Sequence, residues 1–485
     1  MAFIRKVRTK SGAIGVQVAH KSYGKVTRIH HIGSAHSDEE LQVLLALART
    51  HIQGSQIGLF DTQDLSPVLR IGLKYTASTI LLSVLKDQYE KLGFTGLDDS
   101  DFMHLCIARL VEPTSKIESL RILTDLGVQG VGKNDLYRCL QRANTNQYRE
   151  SLATHCFSHA TMRGISLVLY DVTTLYFEVP QEDDYRKPGL SKERRLEPQI
   201  VIGLLVDQNG FPLELQSFEG NKAETKTLLP VIEQFKTKHQ LADITVVADA
   251  AMLSQTNLET LIQAGYTYVV GSRLNKIPYD IVEYQKQGEL QDGQTITSST
   301  NIPGQRIIYQ YRTKRADLDR RNIEKQILKA QRIVEGKAPA SRAKFIQISS
   351  TKRELNHTLI QKARALAGIK GYVTNLQVPD EQAITHYHQL WHVEQSFRMS
   401  KTDLKARPIF HRKRDAIEAH LTVVFAALAV GKVIEEVTGL SLRNVIKTLR
   451  PIRNGTVVIQ GKEYSADAII PPEAIPLLEK LHSGH

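Results

Sequence analysis

The sequence has few cysteines and little that could cross a membrane. Three scattered cysteines among 485 residues provide neither a disulfide framework nor the paired spacing of a zinc site. The longest charge-free apolar run, Leu421–Gly431, is shorter than the roughly 20 residues that span a bilayer. The N-terminus lacks the apolar stretch and cleavage site of a signal peptide. We therefore expect a protein of the reducing cytoplasm, with no membrane partner.

Acidic residues are outnumbered by basic ones. The chain has 63 Lys and Arg against 51 Asp and Glu, which gives a formal net charge of +12 and a pI near 9.3. Its 24% of charged and 41% of apolar residues are ordinary for folded domains, which excludes a disordered, collagenous or coiled-coil chain. The positive charge favours a polyanionic partner, and nucleic acid is the first candidate, although many basic enzymes bind none.

The first 36 residues contain seven basic side chains and no acidic one. Alternating patterns in Ala2–Lys10 and Ala13–Val18, a turn at Ser11–Gly12 and a third strand over Lys25–Ile32 predict a basic β-hairpin arm over residues 1–36. Two interpretations stay open: a solvated hairpin, and an arm whose Lys and Arg side chains contact DNA phosphates.

Residues 37–162 are predicted to be helical. Asp98, Asp99 and Ser100 are candidate caps for a helix over Asp101–Val111. Capping explains this group of carboxylates better than a metal ion does.

Within that helical region, a glycine-rich turn over 127–132 separates two predicted helices, Ser115–Leu126 and Asn134–Ala143. This arrangement is typical of helix–turn–helix units, and we expect Arg138 and Arg142 to point outward together. A DNA-binding helix and an ordinary helical hairpin both fit the pattern.

Two continuous apolar runs each lead into an aspartate. Ile165–Tyr170 is followed by Asp171, and Ile244–Ala248 by Asp249, and such runs are typical of strands buried on both faces. With the strands and helices around them, they predict a mixed α/β sheet flanked by helices over residues 163–271. An aspartate that ends a buried strand faces a crevice at the edge of the sheet, so two of them favour a shared metal site over two unrelated caps.

Residues 272–380 interrupt this pattern with short alternating strands around a charged helix, Arg315–Glu335. We interpret the segment as a β-rich insertion domain, because a structureless loop of such length is improbable. The α/β domain is expected to resume over 381–434 as helices and to leave a C-terminal region over 435–485.

A third carboxylate lies in the segment Thr385–Lys401. On one continuous helix, steps of three and four residues place an aromatic pair, a carboxylate and two cations on the same face: Tyr387, Trp391, Glu394, Arg398 and Lys401. A core-facing stripe would be aliphatic, so the pattern predicts a functional face, and a surface ladder of ion pairs is the alternative. Glu394 would complete the metal site, the two rings would stack on a nucleotide, and the cations would hold phosphates.

Three carboxylates suit the cleavage or joining of phosphodiester bonds. Two Mg²⁺ ions about 3.5–4 Å apart neutralise the attacking and the leaving oxygen. Such hard cations take oxygen ligands, and Mn²⁺ is expected to substitute. The neighbouring histidines are expected to be solvated or secondary groups rather than ligands: His386, His388, His392, His411 and His420.

The run Arg398–Arg414 contains seven basic residues and one acidic residue, Asp403. A solvated charged face is the usual explanation of such a run. Because this one adjoins Glu394, we interpret it as a groove that follows DNA phosphates, with Lys405 and Arg407 among its contacts.

Together these segments resemble a known family. LVLYDVTTLYFE (Leu167–Glu178), VVADAAMLS (Val246–Ser254) and the pattern of Tyr387, Glu394 and Lys401 resemble bacterial insertion-sequence DDE transposases, whose signature is Tyr-x2-Arg-x3-Glu-x6-Lys. The likeness extends over nearly the whole chain. It implies a ribonuclease-H-like catalytic domain, interrupted by an insertion before its last catalytic helix.

The resemblance also implies the function and the site. An enzyme of this family binds terminal inverted repeats of double-stranded DNA, cleaves the strands with two Mg²⁺ ions and transfers them to target DNA. The metal-binding residues would be Asp171, Asp249 and Glu394, and Tyr387 and Lys401 would contact the transposon end. Because two DNA ends must meet, we expect a homodimer on DNA, located in the cytoplasm at the nucleoid.

The sequence departs from the family pattern at two positions. Leu390 stands where the signature has Arg, and Ala250 follows the second aspartate where Arg is common. Each departure removes an expected phosphate contact, which Arg398 or Lys405 would have to replace. Two other functions stay open: a nuclease of the same fold without strand transfer, and an inactive, transposase-derived DNA-binding repressor.

Overall fold

A computed structural model describes most of the chain: residues 2–8, 13–22, 24–35, 37–53, 71–178, 181–189, 197–241, 244–250, 255–272, 274, 277–339, 343–348, 353–459 and 461–483. The chain divides into two compact units. One consists of Met1–Gly72 with Ile459–Lys462, and the other of Leu73–Val458 with Glu463–His485.

The first unit contains the predicted N-terminal strands. Three antiparallel strands and a helix form it: β1 (Ala2–Arg8), β2 (Ile14–Ser22), β3 (Lys25–Ala35) and α1 (Asp38–Gln53). Val16 and Val18 of β2 are buried with Leu45 of α1 in a small core. Helix α1 therefore belongs with this sheet. The predicted boundary at residue 36 had assigned it to the helical region that follows. The turn predicted at Ser11–Gly12 lies outside the described residues.

A strand that starts at the boundary of the two units is followed by a group of helices in the second unit: β4 (Ile71–Ala77), α2 (Thr79–Lys91), α3 (Ser100–Val111), α4 (Lys116–Leu126), α5 (Lys133–Thr145) and α6 (Tyr148–Met162). The predicted cap is confirmed, since the Asp99 side chain accepts a hydrogen bond from the backbone N–H of Phe102 at 3.1 Å. Strand β4 lies within residues 37–162, so the prediction that this whole region is helical was wrong. Its pairing partner lies almost 400 residues further along the chain, so no local pattern announces it.

The α/β region follows in the predicted order: β5 (Leu167–Tyr176), β6 (Gln199–Asp207), β7 (Pro212–Glu219), α7 (Leu228–His239), β8 (Thr245–Ala248), α8 (Gln255–Gln263) and β9 (Thr267–Ser272). Strands β5, β8 and β9 are parallel, whereas β6 and β7 run antiparallel to their neighbours. The prediction of a mixed sheet flanked by helices is confirmed.

The next segment extends the same sheet. It contains α9 (Tyr279–Gln287), β10 (Thr295–Ser299), β11 (Arg306–Tyr311), α10 (Thr313–Val334), β12 (Ile346–Ile348), β13 (Arg353–Leu355), α11 (His357–Ala365) and β14 (Ile369–Thr374). The strand order of the whole sheet is β10-β11-β14-β9-β8-β5-β6-β7. Only β12 and β13 form a separate hairpin among the described residues, and helical residues outnumber strand residues. The segment is therefore not the β-rich unit that was predicted, because long-range pairing of β14 with β9 joins it to the main sheet.

The chain ends with α12 (Asp380–His388), α13 (Trp391–Arg398), α14 (Arg414–Thr438), α15 (Leu442–Leu449), β15 (Asn454–Ile459), β16 (Lys462–Ala466) and α16 (Ile475–Ser483). Strand β15 lies between β16 and β4. Helix α14 is long and apolar enough to cross a membrane, but 89% of its most apolar window is buried inside the protein. It packs against α2, α3, α5, α6 and α16, which is the environment of a core helix.

Candidate active site

The two aspartates lie on adjacent parallel strands. Asp249 directly follows β8, as predicted, but Asp171 lies within β5 rather than at its end. Strand β5 continues because β6 pairs with it as far as Tyr176, while its parallel pairing with β8 stops at Tyr170 and Ala248. The next position in that register brings Asp171 beside Asp249, on strands roughly 5 Å apart.

Glu394 reaches the same part of the sheet from a helix. It is exposed in the first turn of α13, which packs against β5 and β6. The Ser396 hydroxyl donates a hydrogen bond to the Gly210 carbonyl at 2.7 Å and fastens α13 to the turn between β6 and β7. The charges of Asp249 and Glu394 both act on the ammonium of Lys370, so these two carboxylates lie near one cation.

The helix that carries Glu394 is not continuous with the preceding one. Helix α12 ends at His388 and α13 begins at Trp391. Between them the backbone N–H of Leu390 donates to the carbonyl of Tyr387 at 3.2 Å, which is the tighter 3₁₀ spacing. The single face predicted for this segment is therefore divided: Tyr387 is 6% exposed, whereas Trp391 is 49% exposed.

Tyr387 points its hydroxyl at the second aspartate. The hydroxyl donates a hydrogen bond to Oδ1 of Asp249 at 2.9 Å, and the N–H of Ala250 donates to the same oxygen at 2.7 Å. Burial and the charge of Asp249 raise the pKa of Tyr387, so the phenol stays a donor. Its ring packs edge-on against Tyr372 with 5.0 Å between centroids. A nucleotide therefore has Trp391, and not this buried ring, available for stacking.

Gly271 of β9 makes room for the tyrosine. A Cβ atom at this position would lie 2.8 Å from the Tyr387 hydroxyl and 3.1 Å from Cβ of Ala250. The first distance is shorter than real Cβ contacts and the second is tight, so the tyrosine or the backbone would have to shift. The contact between Tyr387 and Asp249 thus depends on a residue without a side chain at this point.

The basic segment Arg398–Arg414 contacts strand β5. The Lys401 ammonium donates to the Thr173 hydroxyl, two residues beyond Asp171 on the same face of the strand. The Arg407 guanidinium lies 5.4 Å from the centroid of the Tyr176 ring. The remaining predicted DNA contacts, Arg398 and Lys405, are exposed. Lys401 and Arg407 therefore lie along the part of β5 that follows Asp171.

The donor set suits Mg²⁺ by type, because all three carboxylates offer oxygen ligands. The side chains are not gathered, however. No group of three or more His, Cys, Asp or Glu residues is placed to hold a metal ion in the part of the chain that the structure describes. The fold brings the three carboxylates to one region of the sheet, and their side chains would have to rearrange to share an ion.

Two predictions outside this region need correction. Arg142 was expected to point outward beside Arg138; its side chain is 40% exposed, but it forms a two-pronged ion pair with Asp99, at 2.7 and 2.9 Å, and contacts Asp101 at 3.1 Å. His420 was expected to be a solvated or secondary group, and it is not solvated. It is buried, and its Nδ1 lies 3.3 Å from the Lys116 ammonium.

The structure adds a cavity that sequence reasoning missed. It has a volume of about 530 Å³ and lies against Asp249, Ala250 and Tyr387. Lys370 of β14 and Arg315 of α10 also line it. No sequence pattern pointed to these two cations, because both stand outside the motifs. The pairing of β14 with β9 brings Lys370 there, and the pairing of β11 with β14 brings the start of α10 and Arg315.

Comparison with known proteins identifies the family. A family model described as the transposase DDE domain matches residues 162–430, more than half of the chain. The chain belongs to this family. The predicted assignment to the DDE transposases is confirmed at this level, and Asp171, Asp249 and Glu394 all fall within the matched transposase DDE domain. Enzymes with such domains generally use divalent metal ions.

Two other comparisons add little to the family assignment. The solved synaptic complex of piggyBac transposase with hairpin DNA is similar at a TM-score of 0.42 and 11% sequence identity, covering 72% of this chain and 70% of that chain. A similarity at this level carries no argument about the site. No curated protein matches the sequence.

Proposed function

We propose that this DDE transposase is the transposase of a bacterial insertion sequence of the Tyr-x2-Arg-x3-Glu-x6-Lys group. It binds terminal inverted repeats, cleaves DNA strands at the ends of the element and transfers them to target DNA. The observation that carries the proposal is the placement of Asp171 beside Asp249, with the Glu394 helix packed on the same strand.

Asp171, Asp249 and Glu394 are the residues that would hold two Mg²⁺ ions, or Mn²⁺ in their place. When bound, the ions would supply charge neutralisation at the attacking and leaving oxygens of the phosphodiester. Tyr387 holds the Asp249 carboxylate through its hydroxyl. Lys401, Arg398, Lys405 and Arg407 bind phosphates along the strand, and the exposed Trp391 ring stacks on a base.

The proposal includes a ribonuclease-H-like architecture for residues 163–271 with 381–434. The strand order β9-β8-β5-β6-β7, in which only β6 runs antiparallel to the other four strands, supports it. Residues 272–380 are then an insertion whose strands add to the same sheet. Because two DNA ends must be held together, the enzyme acts as a homodimer on DNA, at the nucleoid in the cytoplasm.

The direct test measures DNA binding and strand cleavage separately. Asp171→Asn and Glu394→Gln keep the shape of each side chain and remove its charge, so we expect end binding to persist and cleavage in Mg²⁺ to fall by at least 100-fold. Glu473→Gln, at an exposed position, is the matched control and should cleave at the wild-type rate. Cleavage at the wild-type rate by either carboxylate variant would refute the assignment.

The products distinguish the proposal from the other two functions. Supplied with a pre-cleaved 3′-hydroxyl end and target plasmid, a transposase joins the two molecules. A nuclease of the same fold gives cut DNA and no joined product. A repressor binds end DNA whether or not Mg²⁺ is present, and it does not cleave that DNA with any metal ion.

A further inference from the structure

The cavity beside Asp249 has one wall made of basic side chains from the inserted segment. Lys370 comes from β14 and Arg315 from the first turn of α10, and Asp249, Tyr387 and Asp319 line the same cavity. The cavity therefore brings cations that are far apart in the sequence against one of the three proposed metal-binding carboxylates.

Lys370 is placed unusually for a lysine. It is half-buried, and its ammonium lies 4.2 Å from the centroid of the Tyr387 ring and 5.5 Å from that of Tyr372. It forms no ion pair within 4.0 Å with any residue that the structure describes. The charges of Asp249 and Glu394 reach it only from a longer distance. A half-buried ammonium of this kind is stabilised by the two rings, but within the described residues no carboxylate lies close enough to form an ion pair with it.

Arg315 supplies the second positive charge of the wall. Its Nε lies 3.6 Å from Asp319, one helical turn away. This partly exposed ion pair engages only Nε, so the other two nitrogens of the guanidinium do not pair with Asp319. The charge of Arg315 also acts on Lys370. Two like charges that face one cavity repel each other, and an anion bound between them would relieve that repulsion.

We propose that this cavity binds a phosphate of the DNA strand next to the bond that is cut, with Lys370 as its principal contact and Arg315 as the second. The inference rests on the proposed function and deepens it. Because the cavity adjoins Asp249, a phosphate held there would fix the position of the strand relative to the carboxylates. Lys370 is thus a binding and positioning residue for the substrate.

The test uses full-length protein and DNA of the element's end, without metal, so that binding is measured apart from cleavage. Lys370→Met should bind about tenfold more weakly, and the slope of log affinity against log salt should fall by about 1. Lys370→Arg should keep most of the affinity. Lys286→Met, at an exposed lysine of α9, is the control and should behave as wild type.

A neutral phosphate locates the contact. Methylphosphonate substituted at single positions near the cleavage site should weaken wild-type binding at one position, and at that position it should not weaken Lys370→Met further. Equal affinity and slope for Lys370→Met and wild type would overturn the inference, as would additive losses at every position. If Lys370→Met fails to fold, Arg315→Gln is tested in the same way. Failure of the proposed function shows instead as wild-type protein that binds ends and never cleaves them.

Discussion

The hydroxyl of Tyr387 donates a hydrogen bond of 2.9 Å to Oδ1 of Asp249. The contact joins helix α12 to the residue that follows β8, across 138 residues of sequence. The predicted DNA contact of Tyr387 stays a prediction, and the hydrogen bond suggests a second role, the positioning of the Asp249 carboxylate.

Tyr387→Phe removes this donor and leaves the ring in place. We expect metal affinity or cleavage rate to fall about 10–100-fold, which is typical when a partner that orients a metal ligand is lost. Unfolding free energy should fall by no more than about 1 kcal/mol, because Asp249 is exposed and water replaces the phenol. Cleavage titrated with Mg²⁺ measures the effect, and Tyr284→Phe, at an exposed tyrosine of α9, is the control. An unchanged Mg²⁺ titration would show that Tyr387 does not position the carboxylate.

Gly271→Ala tests the same contact from the other strand. The added methyl group would meet the Tyr387 hydroxyl at 2.8 Å, so tyrosine or strand must shift. We expect a cleavage defect as large as that of Tyr387→Phe, and no further loss when the two substitutions are combined, because both break one contact. Gly304→Ala is the control for the loss of a glycine away from the site. A Cβ atom at Gly304 would have no atom within 4 Å, although the φ of this residue is +76°. Additive defects would contradict this explanation.

Asp99 and Arg142 form an ion pair that stabilises the helical region. Burial raises the pKa of Asp99, but hydrogen bonds from Arg142 and Tyr148 outweigh burial and hold that pKa below its usual range. The stabilisation is therefore present above about pH 4 and is lost as the pH falls further. Arg142→Ala should lower the unfolding free energy by about 2–4 kcal/mol at pH 7, and by much less at pH 3. Urea unfolding at both values measures this.

Arg138→Ala is the control for that comparison. Arg138 lies on the same helix and is exposed, and it forms an ion pair with Asp135. Its loss should cost less than about 1 kcal/mol. Equal effects of the two substitutions would mean that the buried position of Asp99 adds nothing.

Lys116 is buried with cationic and neutral partners. Its ammonium lies 2.7 Å from Nε2 of His411, and burial together with Arg109 lowers the pKa of Lys116 to about 7. In the unfolded chain a lysine titrates near pH 10.4, roughly. Between these values the unfolded state binds more protons, so stability should rise with pH, by at most about 1.4 kcal/mol per pH unit. Lys116→Met should lack that rise in unfolding experiments at pH 7, 8 and 9, whereas Lys286→Met should keep it.

The sequence predicted the strands of the sheet well where buried residues form a continuous apolar run. The apolar runs before Asp171 and Asp249 form β5 and β8, and the predicted mixed sheet flanked by helices was confirmed. Asp171 was expected to end its strand because the apolar run ends there. The strand continues because β6 is long enough to pair with it as far as Tyr176, and a partner's length is not visible in the run itself.

The site was less predictable because it depends on contacts between distant segments. The break between α12 and α13 contains neither glycine nor proline, so nothing in the periodicity marks it. Arg142 looked outward-facing because its partner Asp99 lies 43 residues earlier. Lys370 reaches Asp249 only because β14 pairs with β9. Each of these positions follows from tertiary packing, which a local pattern does not contain.

The central claim is that Asp171, Asp249 and Glu394 together hold the metal ions. Electron paramagnetic resonance titration of Mn²⁺ into the complex of protein and end DNA counts the bound ions. We predict two ions per active site for the wild type and for Glu473→Gln, and the loss of at least one in Asp171→Asn, Asp249→Asn and Glu394→Gln. The same number of ions bound with the same affinity in all three carboxylate variants would contradict the claim.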